Sequence, residues 1–153
     1  MLDTPQIIQT QARLTAVVRH LIPRGEIQKV MGPSIGEVMS TLAAQGLAPA
    51  GPVFSHHFSM HPDTFDFEVG VPVASAVKEA GRVKAAQLPA TRVAHTVYRG
   101  GYEGLGAAWG EFMAWVAAQG LQPAPNLWEI YAAGPESGPD ASQWRTELFR
   151  PLL

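Results

Sequence analysis

The sequence predicts an α+β fold built from two βαββ units, and three observations carry that prediction. The segment GEVMSTLAAQGL (Gly36–Leu47) returns as GEFMAWVAAQGL (Gly110–Leu121), with eight of twelve positions identical at an offset of 74 (110 − 36). The offset holds beyond the helix, because Pro49 falls on Pro123 and PVFSHH on NLWEIY. Flanking blocks recur in the same order: His20-x-x-x-Arg24-Gly25 over His95-x-x-x-Arg99-Gly100 at 75, and FEVGVP over TELFRP at 79. A single helix ending in glycine is commonplace. Ordered recurrence on both sides of it marks an internal duplication, with repeats at about residues 5–77 and 83–153 of one domain, 1–153.

Each element has its own reason. Gln6–Ile22 is rich in β-branched residues and reads as one long strand ending at Pro23. Ile27, Val30, Met31, Ile35, Val38, Met39 and Leu42 follow helical spacing. Pro33 interrupts the early part, so the regular helix is expected from Ser34, a favourable N-cap, to Gly46, a left-handed C-cap. Val53–Met60 and Thr64–Val73 form a hairpin around the turn sequence His61-Pro62-Asp63. In the second unit Val83–Arg99 is the strand. Tyr102–Gln119 is the helix, with Leu105, Trp109, Phe112, Met113 and Val116 on one face. Gly120 is its cap, and Trp115 falls off the apolar stripe. Leu127–Ala133 and Gln143–Leu152 form the second hairpin, across the loop GPESGPDAS.

Composition excludes several classes. Apolar residues make up 46% and charged residues 16%, a globular rather than disordered balance. The 11 basic residues are scattered against 13 acidic ones, so no phosphate-tracking stripe exists and direct nucleic-acid binding is not expected. The absence of cysteine removes disulfides and thiolate chemistry and suits a cytoplasmic protein. The N-terminal MLDTPQIIQTQ has no signal-peptide pattern, and no apolar run reaches the roughly 18 residues that span a bilayer. Gly104-x-Gly106-x-x-x-Gly110 lacks dinucleotide-fingerprint spacing, so its glycines are read as easing helix-to-sheet packing. Adjacent His56 and His57 point to opposite strand faces, and with His61 they do not make a metal set. No metal and no cofactor is expected. A protein partner or a homodimer is compatible with the composition.

Two βαββ units joined at their edges give one curved antiparallel sheet with two helices on one face and a cleft on the other. In TFDFEVGVP, Phe65, Phe67, Val69 and Val71 share the helix-facing side, which turns Glu68 outward. Its repeat mate Glu147, with Phe149, turns outward likewise, while Leu148 and Leu152 face the helix. His57 and Tyr131 are mates on the preceding strands, next to Ser55 and Glu129, and His57 is a candidate to line the cleft opposite Tyr131. Phe149-Arg150 reverses simple alternation and puts Arg150 on the helix side, so a twist, a bulge or partial exposure is expected near the end of that strand. A carboxylate beside an aromatic ring suits a flat, cationic or polar molecule. The same parity also fits carboxylates that merely face solvent.

The stretches YRGGYEGLGAAWGEFMAWVAAQGLQP, LWEIYAAGP and WRTELFRPL, in this order and spacing, resemble the GyrI-like, or AraC-type effector-binding, domain family across essentially the whole chain. The resemblance implies a duplicated βαββ fold that binds small molecules, with a last-strand glutamate, here Glu147, in the cleft. It implies surrounding aromatics, here Tyr131, Trp109 and Phe149. No helix-turn-helix segment fits beside the fold in these 153 residues, so a freestanding binder of a hydrophobic or cationic compound is expected, for sequestration, sensing or detoxification. Some standalone members look like hydrolases of cyclopropanoid toxins, and in that reading Glu147 or Glu68 is catalytic. A gyrase-inhibitor-like interaction module is a third reading. The first two demand opposite tuning: a cation binder needs its glutamate ionised, whereas a general acid gains from a pKa raised by burial.

Overall fold

The computed structural model describes residues 2–60 and 63–153, without the side chains of Gln28 and Met60. His61 and Pro62, and with them the expected turn and third histidine, lie outside the described residues. The chain divides into two compact units, one of residues 11–90, the other of residues 91–153 with the segment ending at Thr10.

The first unit contains β2 (Arg13–Pro23), a 3-10 turn (Arg24–Glu26), α1 (Ile27–Ala44), β3 (Phe54–Met60), β4 (Thr64–Pro72) and β5 (Val83–Leu88). Its strands run in the order β3-β4-β2-β5, all antiparallel. The second unit contains β1 (Gln6–Gln9), β6 (Arg92–Arg99), a 3-10 turn (Tyr102–Gly104), α2 (Leu105–Ala118), β7 (Leu127–Ala133) and β8 (Arg145–Pro151). Here the order is β7-β8-β6-β1, again antiparallel. The α+β class is as expected, and each unit has its own helix packed on its own strands. The two expected long strands are each broken in two. At the breaks Thr10 and Thr91 spend their hydrogen bonds on each other: Thr10 N donates to Thr91 O (2.9 Å) and Thr91 N to Thr10 Oγ1 (3.0 Å). Pro89 also lacks the N–H that would continue a ladder.

Strand register aligns the two units more finely than the sequence offsets did. Glu68 pairs with His56 and Arg19, as Glu147 pairs with Ile130 and Val97. His20 pairs with Phe67, so its counterpart across the offset of 79 is Tyr98, which pairs with Thr146. His95 instead pairs with Phe149 on the opposite face, which corrects the expected match of His20 with His95. The slip has a simple source. Helix α1 has 18 residues and α2 has 14, a difference of one turn.

Ser34 is not an N-cap. α1 begins at Ile27 and carries Pro33 inside it, while the fully buried Ser34 hydroxyl meets His20 Nε2 at 2.6 Å. Both helices end as the sequence predicts. Gly46 and Gly120 adopt φ of 69° and 73°. Gly46 N donates to Ala43 O and Leu47 N to Leu42 O, and Gly120 and Leu121 make the corresponding bonds to Ala117 and Val116. These are two Schellman caps, each turning a leucine back onto its core. No atom lies within 4 Å of a Cβ added at either glycine. Gly46→Ala or Gly120→Ala is therefore expected to cost about 1 kcal/mol through backbone strain alone, measured by denaturant unfolding. An unchanged midpoint would contradict the cap.

Under α1 the core comprises Ala16, Val18, Val38, Leu42, Val71, Val73, Val77 and Val83. Under α2 it comprises Ala94, Tyr98, Ala108, Phe112, Val116 and Leu148, with Trp109, Met113, Leu152 and the half-buried Trp115 packed against it. Trp115 thus belongs to the core margin although it falls off the stripe. Of the irregularities expected near the end of β8, partial exposure is the one found: Arg150 is half-buried, while β6 and β8 pair without a bulge from Val93↔Pro151 to Arg99↔Arg145. The irregularity lies in β7, between Ile130 and Ala133. Arg150 does fall on the helix side, and its Nε donates to Ala124 O (3.0 Å). Among the described residues no helix is long and apolar enough to cross a membrane.

Candidate functional site

In β7 the pleat sends Leu127, Glu129 and Tyr131 to one face and Trp128 and Ile130 to the other. Glu129 pairs with Leu148, a core residue beneath α2, so Glu129 stands on the helix side. Trp109, on the α2 face that carries Phe112 and Val116, reaches over it. Trp109 Nε1 donates to Glu129 Oε2 (2.6 Å), and Tyr131 Oη donates to Glu129 Oε1 (2.9 Å). Each carboxylate oxygen therefore holds one aromatic donor.

Further rings extend this cluster. Tyr102, at the head of the 3-10 turn, sits edge-on to Tyr131 at 5.8 Å and tilted on Trp144 at 5.2 Å. Trp144 Nε1 donates to Gly138 O (3.0 Å). Glycines clear the space. A side chain at Gly134 would collide with the Tyr102 hydroxyl, and one at Gly104 with that of Tyr98, while Gly106 and Gly110 have open space around them. So of the glycines expected to ease packing, Gly104 serves a tyrosine and the other two are not crowded.

Burial pushes the Glu129 carboxyl above its ordinary value, and the hydrogen bonds from Trp109 and Tyr131 pull the other way. Tyr102 is held protonated by burial and by the negative charges of Glu136 and Glu129. The result is a partly desolvated carboxylate held by Trp109 and Tyr131, with Tyr102 and Trp144 extending the aromatic cluster beyond Tyr131. Such a site can neutralise an organic cation and stack against its apolar surface.

The expected site residues fall into three groups. Trp109 and Tyr131 come together on the helix side around Glu129. Glu147 and Phe149 occupy the opposite face of the same strands, where Glu147 Oε1 meets His95 Nε2 at 3.0 Å. There the Phe149 ring stacks on Trp128 (5.2 Å) and tilts against His95 (4.6 Å). Glu68 and His57 belong to the other unit. Glu68 faces away from α1, half-buried between Arg19 and His56 in the ladder, and burial raises its carboxyl while Arg19 opposes the rise. His57 faces α1 and is stacked on Phe67 at 5.1 Å. Glu129 itself was visible in the sequence only as a neighbour of Tyr131. Its two-residue spacing from Tyr131 was the available signal, but the partner Trp109 comes from a different element. His95 as partner of Glu147 left no sequence signal, since only the β6–β8 register joins them.

Burial pushes His56 and His57 down to about 4, with His56 and Arg24 adding to the effect on His57. Between 6.5 and about 4 the unfolded chain then takes up protons that the folded chain refuses, so stability falls as pH falls through that window. Going from about pH 7 to about pH 5 is expected to cost on the order of 1–3 kcal/mol per buried imidazole. Thermal unfolding of His57→Phe should show a shallower decline than the parent chain, and equal slopes would contradict the burial of His57.

Among curated proteins none matches the chain by sequence. Several solved structures share its fold at low identity. The EcmrR C-terminal domain superposes with a TM-score of 0.85 at 21% identity, covering 98% of this chain and 97% of that one. Against EcmrR in its DNA complex the TM-score is 0.84, and the match covers 97% of this chain but 57% of EcmrR. SAV2435, whose structure holds tetraphenylphosphonium, gives 0.72 at 11% identity, covering 99% and 94%. A hydrolase from Listeria innocua gives 0.66 at 14% identity, covering 97% and 91%. The family model of the GyrI-like small molecule binding domain matches residues 3–153. A match over that span, on a fold that these structures share, makes the chain a member of the GyrI-like small molecule binding domain family.

Proposed function

We propose that this chain binds a hydrophobic, cationic compound against Glu129, with sequestration, sensing or detoxification as the use of that binding. One observation carries the reading: a carboxylate inside an aromatic wall, with Trp109 Nε1 on one oxygen and Tyr131 Oη on the other. Buried carboxylates are costly unless satisfied, and a permanent cation against Glu129 would offset the penalty that burial imposes. The family's small-molecule binding and the tetraphenylphosphonium held by SAV2435 support the ligand class. Trp109 and Tyr131 supply both the hydrogen bonds and the ring surface. The test is calorimetric titration with tetraphenylphosphonium, comparing the parent chain with Glu129→Gln. Saturable binding in the parent and its loss in the variant is the expected result, and equal affinity overturns the reading.

A second reading is favoured by the His95–Glu147 pair. Its 3.0 Å contact beside Phe149 and Trp128 forms a carboxylate–imidazole unit able to hold and move a proton at a water molecule. In this reading the chain is a hydrolase of electrophilic, cyclopropanoid-type compounds, and the likeness to the Listeria innocua hydrolase is compatible with it. Incubation with a cyclopropanoid, followed by mass spectrometry, should yield a hydrated product that Glu147→Gln reduces by about 100-fold or more. Turnover unchanged in Glu147→Gln, or none in the parent, removes this reading.

A further inference from the structure

The sequence marks two starts for α1, and the structure uses one of them. α1 begins at Ile27, yet Ser34-Ile35-Gly36-Glu37 has the spacing of a capping box. In that motif the serine hydroxyl accepts from the N–H three residues on, and the glutamate accepts from the serine N–H. The stretch before Ser34 is loosely anchored. Among the described side chains of residues 27–33 none is fully buried, whereas Ser34, Val38 and Leu42 are. By the repeat offset of 74, α2 starts level with Met31 (105 − 74 = 31), so Ile27 to Val30 is the extra turn of α1. Pro33 has no N–H to donate back to the Lys29 carbonyl, and Gly32 beside it has the most backbone freedom of any residue type.

Two imidazoles lie beneath this stretch, on the helix side of the strands. His20 from β2 and His57 from β3 pack on the Phe67 ring of the strand between them, at 5.5 Å and 5.1 Å. His20 Nε2 meets the Ser34 hydroxyl at 2.6 Å, so that hydroxyl is spent on the ring and not on a cap. Arg24 fastens the start of the stretch. Its N–H donates to Asp63 O (3.0 Å), and its guanidinium lies 4.4 Å from the centre of the Phe65 ring, which meets His57 edge-on at 5.2 Å. His57 Nδ1 is buried without a hydrogen-bond partner. The charged groups acting on His20 are Arg82 and Glu37, joined to each other at 2.6 Å, and Arg24 acts on His57. Glu26 and Lys29 pair at 3.1 Å within the stretch itself.

We propose that residues 24–33 are a cover that opens when His20 and His57 take up protons, with Gly32–Pro33 as the hinge and Ser34 as the N-cap of a shortened α1. In the closed form each protonated ring has an arginine as a like-charged neighbour, and the His57 Nδ1 proton has no acceptor. Opening brings both rings to water. It also frees the Ser34 hydroxyl to accept from Glu37 N–H, which offsets part of what the lost turns contributed. Val38 and Leu42 hold the rest of the helix on its core. His56, on the other face of β3, stays in place, and the Glu129 cluster lies in the other unit and takes no part.

Burial holds the closed His57 at about 4 against an ordinary 6.5, so the open form binds the proton more tightly and gains as pH falls through that window. From about pH 7.5 to about pH 5 this ring alone favours opening about 30-fold, and His20, lowered mainly by burial, acts in the same direction. Hydrogen exchange on the intact chain, read by mass spectrometry as protection factors at those two pH values, is the test. Protection of residues 27–33 is expected to fall about 30-fold or more while that of residues 38–44 holds. In His20→Gln/His57→Phe the fall should shrink to less than about threefold. The proposal is overturned if 27–33 keep their protection at about pH 5 or lack it already at about pH 7.5. It is equally overturned if 38–44 lose protection to the same extent, or if the double variant responds to pH as the parent does. All but the last of these outcomes need only the parent chain.

Discussion

Exchanging Glu129 for glutamine is expected to weaken tetraphenylphosphonium binding roughly 30- to 200-fold, a loss of about 2–3 kcal/mol for one partly desolvated charge opposite a cation. The substitution is close to isosteric, and the hydrogen bonds can be kept. Trp109 only donates, so the amide oxygen must face Nε1. The amide nitrogen then faces Tyr131, whose hydroxyl can turn to accept. What is removed is the charge. The stability of the empty protein should respond in the opposite direction. The folded Glu129 carboxyl is raised above its ordinary 4.5, so the folded state binds its proton more tightly than the unfolded state. From 4.5 upward to that raised value the parent loses stability as pH rises, a loss absent below 4.5. Glu129→Gln carries no such penalty and should unfold at an equal or higher temperature near neutrality. Weaker binding together with undiminished stability is the signature of a group kept for ligand. If binding survives in Glu129→Gln but is lost in Glu147→Gln, the cation sits on the opposite face of the strands.

Gly70→Ala is expected to destabilise the chain by about 3 kcal/mol, lowering the melting temperature by roughly 6–12 °C. Gly70 pairs with Val17 on β2 and with Phe54 on β3, in the middle of its unit's strands. A Cβ there would fall on the carbonyl oxygen of Ala16 and within 2.9 Å of the Ala16 carbon and the Val17 Cα. Those are backbone atoms of β2, which is held on both sides by β4 and β5, so no rotamer change relieves the contact. Separating β2 from β4 would break ladder bonds above the core of Ala16, Val18 and Val71. Thermal unfolding measures the effect, and a fall below about 2 °C would contradict the close approach of the two strands. The glycine is not needed for an unusual backbone angle, unlike Gly46 and Gly120, and periodicity alone gave no reason for it.

The legible part of this protein was local. Helix ends were readable because Gly46 and Gly120 must each take a left-handed conformation, a requirement that lies in one residue. The inward faces of β4 and β8 were readable because pleat parity is a property of a single strand. Phe67, Val69 and Leu148 are fully buried on the side away from Glu68 and Glu147. Membership of the GyrI-like family was legible for the same reason, as motifs in order along one chain. Ser34 misled, because its fate is decided by His20 and not by the proline before it.

By itself the sequence determined the α+β class, the two capped helices, and the aromatic and acidic inventory from which a site could be made. Only the tertiary structure decided which of those groups meet. Trp109, Glu129 and Tyr131 converge because α2 packs across β7, and His95 reaches Glu147 because β6 and β8 pair in one particular register. The division between Glu129 and Glu147 has a physical cause. Strand parity assigns a residue to a face, but which face brings aromatic donors onto a carboxylate depends on the helix laid over it. That is a packing outcome summed over residues far apart in the chain.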